Sequence, residues 1–267
     1  MSGRRGPCRG GGDPVTPLVL LSGWGCDARI WQPLTDHWPD GIEVSAPDWP
    51  GYGGRPALAQ PACLDALAEA MAPALPADAV WVGWSLGGLL AASLLERAPS
   101  APHGLLLLGA GPRFCDPEGV TRAELAAFRR AFARDPAATL AHFQCWQLGG
   151  EPSPREAHRR LQALLGDGPT PHRGTLAAGL GWLAELDATA ALTAPPCPVY
   201  RLAGERDPLL ASAAVAEANR VLKHAGHCPM LSRPGDLAVA LTTLARRCAA
   251  EAGRAPGTDP TQQESPT

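Results

Sequence analysis

The sequence predicts an α/β fold, a mostly parallel, doubly wound sheet with an inserted helical cap, on three observations. Short, wholly apolar runs recur along the chain, among them Leu18-Val19-Leu20-Leu21, Ala79-Val80-Trp81-Val82 and Leu105-Leu106-Leu107-Leu108. Runs of this length without polar alternation suit strands covered on both faces. Ala/Leu-rich segments with helical spacing separate them, and strands alternating with helices build parallel sheets. Between Arg113 and about Leu186 the strand rhythm stops and helical segments take over, which places a cap of helices (residues 113–186) between two parts of one core, residues 18–112 and 187–250.

Composition agrees with a globular chain. At 267 residues, 45% hydrophobic and 18% charged, it is long enough for one sizeable core and too apolar to be disordered. A net charge of −3 does not suggest a general nucleic-acid or membrane-surface binder. No run approaches the ~18 apolar residues of a membrane span, so a soluble, cytoplasmic protein is expected. The eight cysteines form no C-x-x-C or other metal-ligand spacing and read as reduced thiols. Residues 1–17, rich in Gly, Pro and Arg, and the polar residues 251–267 are expected to be a disordered arm and tail.

In chain order, the strand Leu18 to Leu21 runs into Ser22-Gly23-Trp24-Gly25, a loop able to turn backbone N–H groups toward a substrate oxygen, though an ordinary strand-to-helix turn has the same composition. A short helix is expected over Asp27 to Leu34 and a strand over Ile42 to Ala46. The glycine-rich turn from Asp48 to Gly54 is expected to be structural, and Cys63 to Leu75 has helical periodicity. Then comes Val82-Gly83-Trp84-Ser85-Leu86-Gly87-Gly88, a G-x-S-x-G sequence between a strand and a helix. In that context the serine occupies a sharp turn called a nucleophile elbow, and Gly83 and Gly87 lack the Cβ atoms that would collide there. Alone the pattern is weak, since a serine at a helix start is ordinarily a cap. After Gly104 to Gly109, the insertion has helical stretches at Arg122 to Ala133, Ala137 to Gln147 and Arg155 to Leu164.

The sheet resumes at Val199 to Gly204, and Asp207 follows that strand's end. An Asp-Pro pair is commonly just a turn. Ala225-Gly226-His227-Cys228-Pro229 places a histidine in a glycine- and proline-bounded loop before a terminal helix, whereas the rival His224 abuts strand-like Arg220 to Lys223. Ser85, Asp207 and His227 therefore stand in the order of a catalytic triad: a serine hydroxyl needs an imidazole to take its proton, and the imidazole needs an oriented carboxylate. The backbone amides of Trp24 and Leu86 are the expected oxyanion-hole donors.

These residues resemble the α/β-hydrolase family from Leu18 to about Cys248. Within it, Leu21 to Gly25, Asp48 to Gly53 and especially Trp81 to Gly88 are similar to the BioH type, the pimeloyl-acyl-carrier-protein methyl ester esterases, as are Gly109 to Phe114 and Phe143 to Gly149. The chain departs from that pattern in having Ser22 where histidine is usual, in lacking counterparts of the family's first two strands, and in a compressed segment between Asp207 and His227. The resemblance implies a serine carboxylesterase with no metal or organic cofactor, acting on a methyl ester carried on acyl carrier protein. It also implies a carrier-docking face, for which the cap offers Arg122, Arg129, Arg130, Arg155 and Arg159, with Arg134 and Arg160 beside them. Arginines at helical spacing are more usually a solvated face. Trp24, Trp84, Phe143 and Trp146 are candidate contacts to the acyl chain. A broad short-chain carboxylesterase or thioesterase, or an inactive binding protein of the same fold, remains open at this point.

Overall fold

The computed structural model of the protein describes residues 15–254. Most of the expected arm and tail falls outside the described residues; of the remainder, Thr16 and Pro17 already belong to the first strand and Glu251 and Ala252 to the last helix.

Strand β1 (Thr16–Leu21) leads through the first glycine loop into a 3-10 helix, Ala28–His37, capped by Asp27, whose Oδ1 accepts from the Arg29 N–H at 3.0 Å. The short helix expected here takes the 3-10 form; Pro33 lies inside the segment and removes an amide that an α-helical ladder would use. There follow β2 (Ile42–Ser45), α1 (Leu64–Met71), β3 (Val80–Trp84), α2 (Leu86–Leu94) and β4 (Gly104–Leu108). The insertion contributes α3 (Arg122–Arg134), α4 (Pro136–Trp146), α5 (Pro154–Leu165) and α6 (Arg173–Glu185). After α7 (Thr189–Thr193) come β5 (Val199–Gly204), α8 (Ser212–Ala216), β6 (Arg220–Leu222), α9 (Pro229–Ser232) and α10 (Pro234–Ala252).

The six strands pair in parallel throughout, in the order β2-β1-β3-β4-β5-β6, with Leu20 opposite Val82, Trp84 opposite Leu108 and Leu108 opposite Leu202. The sheet begins at β1 among the described residues, without earlier strands. The apolar runs are central strands: Leu105 to Leu108 are each at most 1% exposed, and burying one such side chain contributes about 1.5–3 kcal/mol. Alternation along β3 sorts its residues between two cores. Trp81 joins Leu67, Met71 and Leu90 on the α1/α2 side, while Val80, Val82 and Trp84 face Ile30, Trp31 and the apolar side of α10.

Local signals set the insertion's helix boundaries. A capping box starts α3: Thr121 Oγ1 accepts from the Glu124 N–H (3.2 Å) and Glu124 Oε2 from the Thr121 N–H (2.8 Å). Asp135 then caps α4, accepting from the Ala138 N–H at 3.0 Å, with Pro136 in the first turn. Helix α6 contains Gly174, Gly179 and Gly181, poor helix formers that hid it from periodicity, and it rests on α2, joining the insertion to the core. No described helix is long and apolar enough to cross a membrane.

Candidate active site

One residue makes the turn between β3 and α2. Ser85 has φ 55° and ψ −124°, a strained backbone for a residue with a side chain. Hydrogen bonds hold it there: its N–H donates to the Leu108 carbonyl (2.9 Å), and its carbonyl accepts from the N–H groups of Gly88 (2.9 Å) and Leu89 (3.2 Å). A Cβ on Gly83 would lie 2.4 Å from the Gly88 Cα, and one on Gly87 would lie 2.5 Å from the Leu21 and Ser22 carbonyl oxygens. The two glycines are therefore what let strand, helix and first loop close around the serine.

Asp207 follows the end of β5, and His227 lies in the loop before α9. Their side chains meet, His227 Nδ1 to Asp207 Oδ2, at 2.8 Å, with both residues buried. The second carboxylate oxygen, Oδ1, accepts from the Leu209 N–H at 2.9 Å. An ionised carboxylate only accepts, so Nδ1–H donates and Nε2 keeps its lone pair. Nε2 is buried and has no hydrogen-bond partner. Gly109, just past β4, has φ 58°, and a Cβ there would lie 3.0 Å from the imidazole Cε1 and Nδ1 and 3.2 Å from Asp207 Oδ2. Ser85 and Gly109 line one cavity, so the serine and the buried pair converge at the ends of β3, β4 and β5.

The compressed segment between acid and histidine needs only α8 and β6 because the two loops bond directly. Glu205 N–H donates to the Leu222 carbonyl (3.0 Å) and Arg206 N–H to the Ala225 carbonyl (2.9 Å). Gly204 permits the approach, since a Cβ there would lie 1.9 Å from the Gly226 oxygen. The rival His224 is on the surface, with its N–H donating to Glu205 Oε2 at 2.9 Å.

The first glycine loop touches the serine: a Cβ on Gly23 would lie 3.0 Å from the Ser85 Cβ. Leu86 is the first residue of α2, so its N–H has no partner within the helix. Ser22, in the usual histidine position, is 1% exposed, its hydroxyl has no protein partner, and its carbonyl accepts from Trp49 Nε1 (2.9 Å). The second glycine turn thereby braces the first, and Asp48 Oδ1 adds a bond from the Ala28 N–H (2.7 Å).

The insertion lines an open cavity of about 420 Å³ with Phe128, Phe143, Trp146 and Leu180, and with Glu124 and His142. Phe114 and Leu183 line both this cavity and the smaller one at Ser85, so the two spaces are neighbours. Trp24 lies under it with its ring edge-on to Phe143 (5.1 Å) and its Nε1 donating to the Leu176 carbonyl (2.8 Å). Trp84 does not reach it. As the last residue of β3, it alternates onto the opposite face, is fully buried beside Trp31, and donates from Nε1 to the His227 carbonyl at 2.8 Å. The expectation that it touches an acyl chain is corrected accordingly.

Arg122, Arg129, Arg130, Arg155 and Arg159 are all exposed. Arg129 lies 3.9 Å from Glu185 and Arg159 pairs with Glu156 on its own helix, while among the described residues Arg122, Arg130 and Arg155 form no ion pair. Arg160 is engaged differently, donating from Nη1 to the Leu231 carbonyl (2.7 Å).

Two residues of this neighbourhood escaped the sequence reading: Gly109, whose positive φ has no local signature, and Glu151, an acid between Gly150 and Pro152. Glu151 is 4% exposed; its Oε1 accepts from the Cys228 N–H (2.7 Å) and its Oε2 from the Ser232 hydroxyl. Burial, reinforced by the Glu151 charge, raises the Cys228 thiol well above its ordinary value, so it stays protonated and is no rival nucleophile. No cluster of three potential metal ligands occurs among the described residues.

A sequence model described as "Alpha/beta hydrolase family" matches residues 18–241. A pimeloyl-[acyl-carrier protein] methyl ester esterase of Aromatoleum aromaticum is 37% identical over 246 residues, 86% of this chain and 98% of that protein. One of Sodalis glossinidius is 34% identical over 231 residues, 81% and 88% of the two chains. Among solved structures, an esterase from Thermogutta terrifontis superposes with a TM-score of 0.72 at 23% identity, covering 88% of this chain and 91% of its own. An esterase from Exiguobacterium antarcticum gives 0.70 at 21% identity, with 87% and 92% covered; at such identities the likeness concerns the fold. With six parallel strands, a serine elbow after the third and a helical insertion after the fourth, the chain belongs to the alpha/beta hydrolase family.

Proposed function

We propose that this chain is a serine carboxylesterase that hydrolyses the methyl ester of pimeloyl-[acyl-carrier protein], releasing methanol and the free acid for biotin synthesis in the cytoplasm. The observation that carries the reading is the buried His227–Asp207 pair converging with strained Ser85, whose cavity neighbours the apolar one of the insertion. The relatives of that name at 37% and 34% identity supply the substrate.

Ser85 Oγ attacks the ester carbonyl while His227 Nε2 takes its proton, and Asp207 steadies the imidazolium. The amides of Trp24 and Leu86 receive the charge on the carbonyl oxygen, each such donor contributing ~3 kcal/mol to the transition state. The imidazolium returns its proton to the departing methoxide, giving methanol and an acyl-serine. Water, deprotonated by His227, then attacks the acyl group, and Ser85 leaves with the proton restored. Phe143 and Trp146 offer apolar surface to the acyl chain. The exposed arginines Arg122, Arg129, Arg130, Arg155 and Arg159 offer positive charge to an acidic carrier, an attraction that raises the association rate and weakens with salt.

The test is methanol release from methyl pimeloyl-acyl carrier protein and from free dimethyl pimelate, by wild type and Ser85→Ala, at low and high salt. A salt-sensitive preference for the carrier-bound ester, abolished in Ser85→Ala, is expected. Equal turnover of the two esters would reject the carrier and keep the esterase.

A further inference from the structure

We infer that Glu151 is a positioning residue through which the helical insertion holds the base His227 in register with Ser85; the inference rests on the serine-esterase reading above, though not on the identity of the ester. The peptide joining His227 to Cys228 is gripped at both polar ends. Its carbonyl accepts from Trp84 Nε1 at 2.8 Å, and its N–H donates to Glu151 Oε1 at 2.7 Å. Trp84 belongs to the strand that ends at the nucleophile, and Glu151 to the segment between α4 and α5. The imidazole is thus aligned from the core on one side and from the insertion on the other.

Close packing makes this grip specific. A Cβ on Gly226 would lie 2.8 Å from Glu151 Oε1 and 2.9 Å from the Glu151 nitrogen, and one on Gly150 would lie 1.8 Å from the Arg206 oxygen. Gly150-Glu151 is therefore wedged between the loop carrying Asp207 and the loop carrying His227. Glu151 Oε2 also accepts from the Ser232 hydroxyl in α9, and Arg160 of α5 donates to the Leu231 carbonyl in the same short helix. Burying a carboxylate is costly unless its acceptors are used, and among the described residues Glu151 has no ion pair. Its two bonds both go to the segment that starts at His227. Displacing a catalytic group by a fraction of an ångström is enough to slow a reaction whose geometry is otherwise intact.

The experiment compares the full chain with Glu151→Ala, Glu151→Gln and Ser232→Ala. It reads kcat and KM on p-nitrophenyl butyrate, the rate of Ser85 labelling by a fluorophosphonate, and thermal unfolding. Glu151→Ala is expected to lower kcat and the labelling rate on the order of 10²-fold, with KM little changed. Glu151→Gln should recover most of the loss, because its Oε1 still accepts from the Cys228 N–H and its amide can donate to Ser232. Unchanged kcat in a folded Glu151→Ala, or a lower melting temperature with labelling per folded molecule unchanged, would overturn the inference. If Glu151→Ala does not fold, Ser232→Ala decides: a lower kcat at constant KM supports the role, and wild-type kcat rejects it. Turnover of p-nitrophenyl butyrate without turnover of the carrier-bound ester would refute the proposed substrate and leave these comparisons to decide on Glu151, whereas a wild-type chain inert to the fluorophosphonate would overturn both.

Discussion

The indole Nε1 of Trp84 donates to the carbonyl oxygen of His227 at 2.8 Å, and the two rings lie 5.5 Å apart, so the residue preceding Ser85 supports the loop that carries His227. Trp84→Phe keeps most of the buried surface and removes this donor. The orphaned carbonyl should cost about 1–3 kcal/mol of stability, read by urea unfolding. A fall in kcat per folded molecule would identify the lost alignment.

Asp207 orients the imidazole through Nδ1, so Asp207→Asn presents an amide that can donate to the wrong tautomer. A kcat loss of ~10⁴-fold with an unchanged circular dichroism spectrum is expected, by comparison with the same change in serine proteases. Retention of more than a tenth of the activity would mean that His227 is aligned by other contacts.

Gly109→Ala places a methyl group 3.0 Å from the His227 ring at φ 58°. Strain should destabilise the fold by ~1–2 kcal/mol, and displacement of the imidazole should slow Ser85 labelling. Wild-type labelling in this variant would show that the ring can shift without consequence.

Glu205 braces the surface side of the loop between β5 and β6. The Lys223 ammonium, with the His224 N–H, holds its carboxyl down to about 2 from an ordinary 4.5. Because the folded-state value is depressed, the stabilisation is complete above about 4.5 and is lost as pH falls toward 2. The difference in melting temperature between wild type and Lys223→Met should therefore shrink across that interval. A difference that stays constant would place the pair outside the stability of this loop.

The sequence by itself determined the centre of the sheet, because β1, β3 and β4 are apolar or β-branched runs between turn-forming residues, and it marked the elbow, because only glycine can occupy positions where strand and helix backbones nearly touch. It also carried the order Ser85, Asp207, His227, since each follows a strand or sits in a loop with its own local signature. The 3-10 conformation of Ala28–His37 and the glycine-containing helix α6 were harder to read, because propensity there is weak and packing decides. What only the tertiary structure decided is which side chains meet. Trp84 turned from a substrate contact into a support for His227 because strand alternation sends it to the far core. Glu151 gained its place because two glycines, at 150 and 226, let the insertion come against the histidine loop. Contacts between residues 77 positions apart leave no local pattern, since they are set by where β3, β5 and the insertion are brought together and not by the neighbours of either residue.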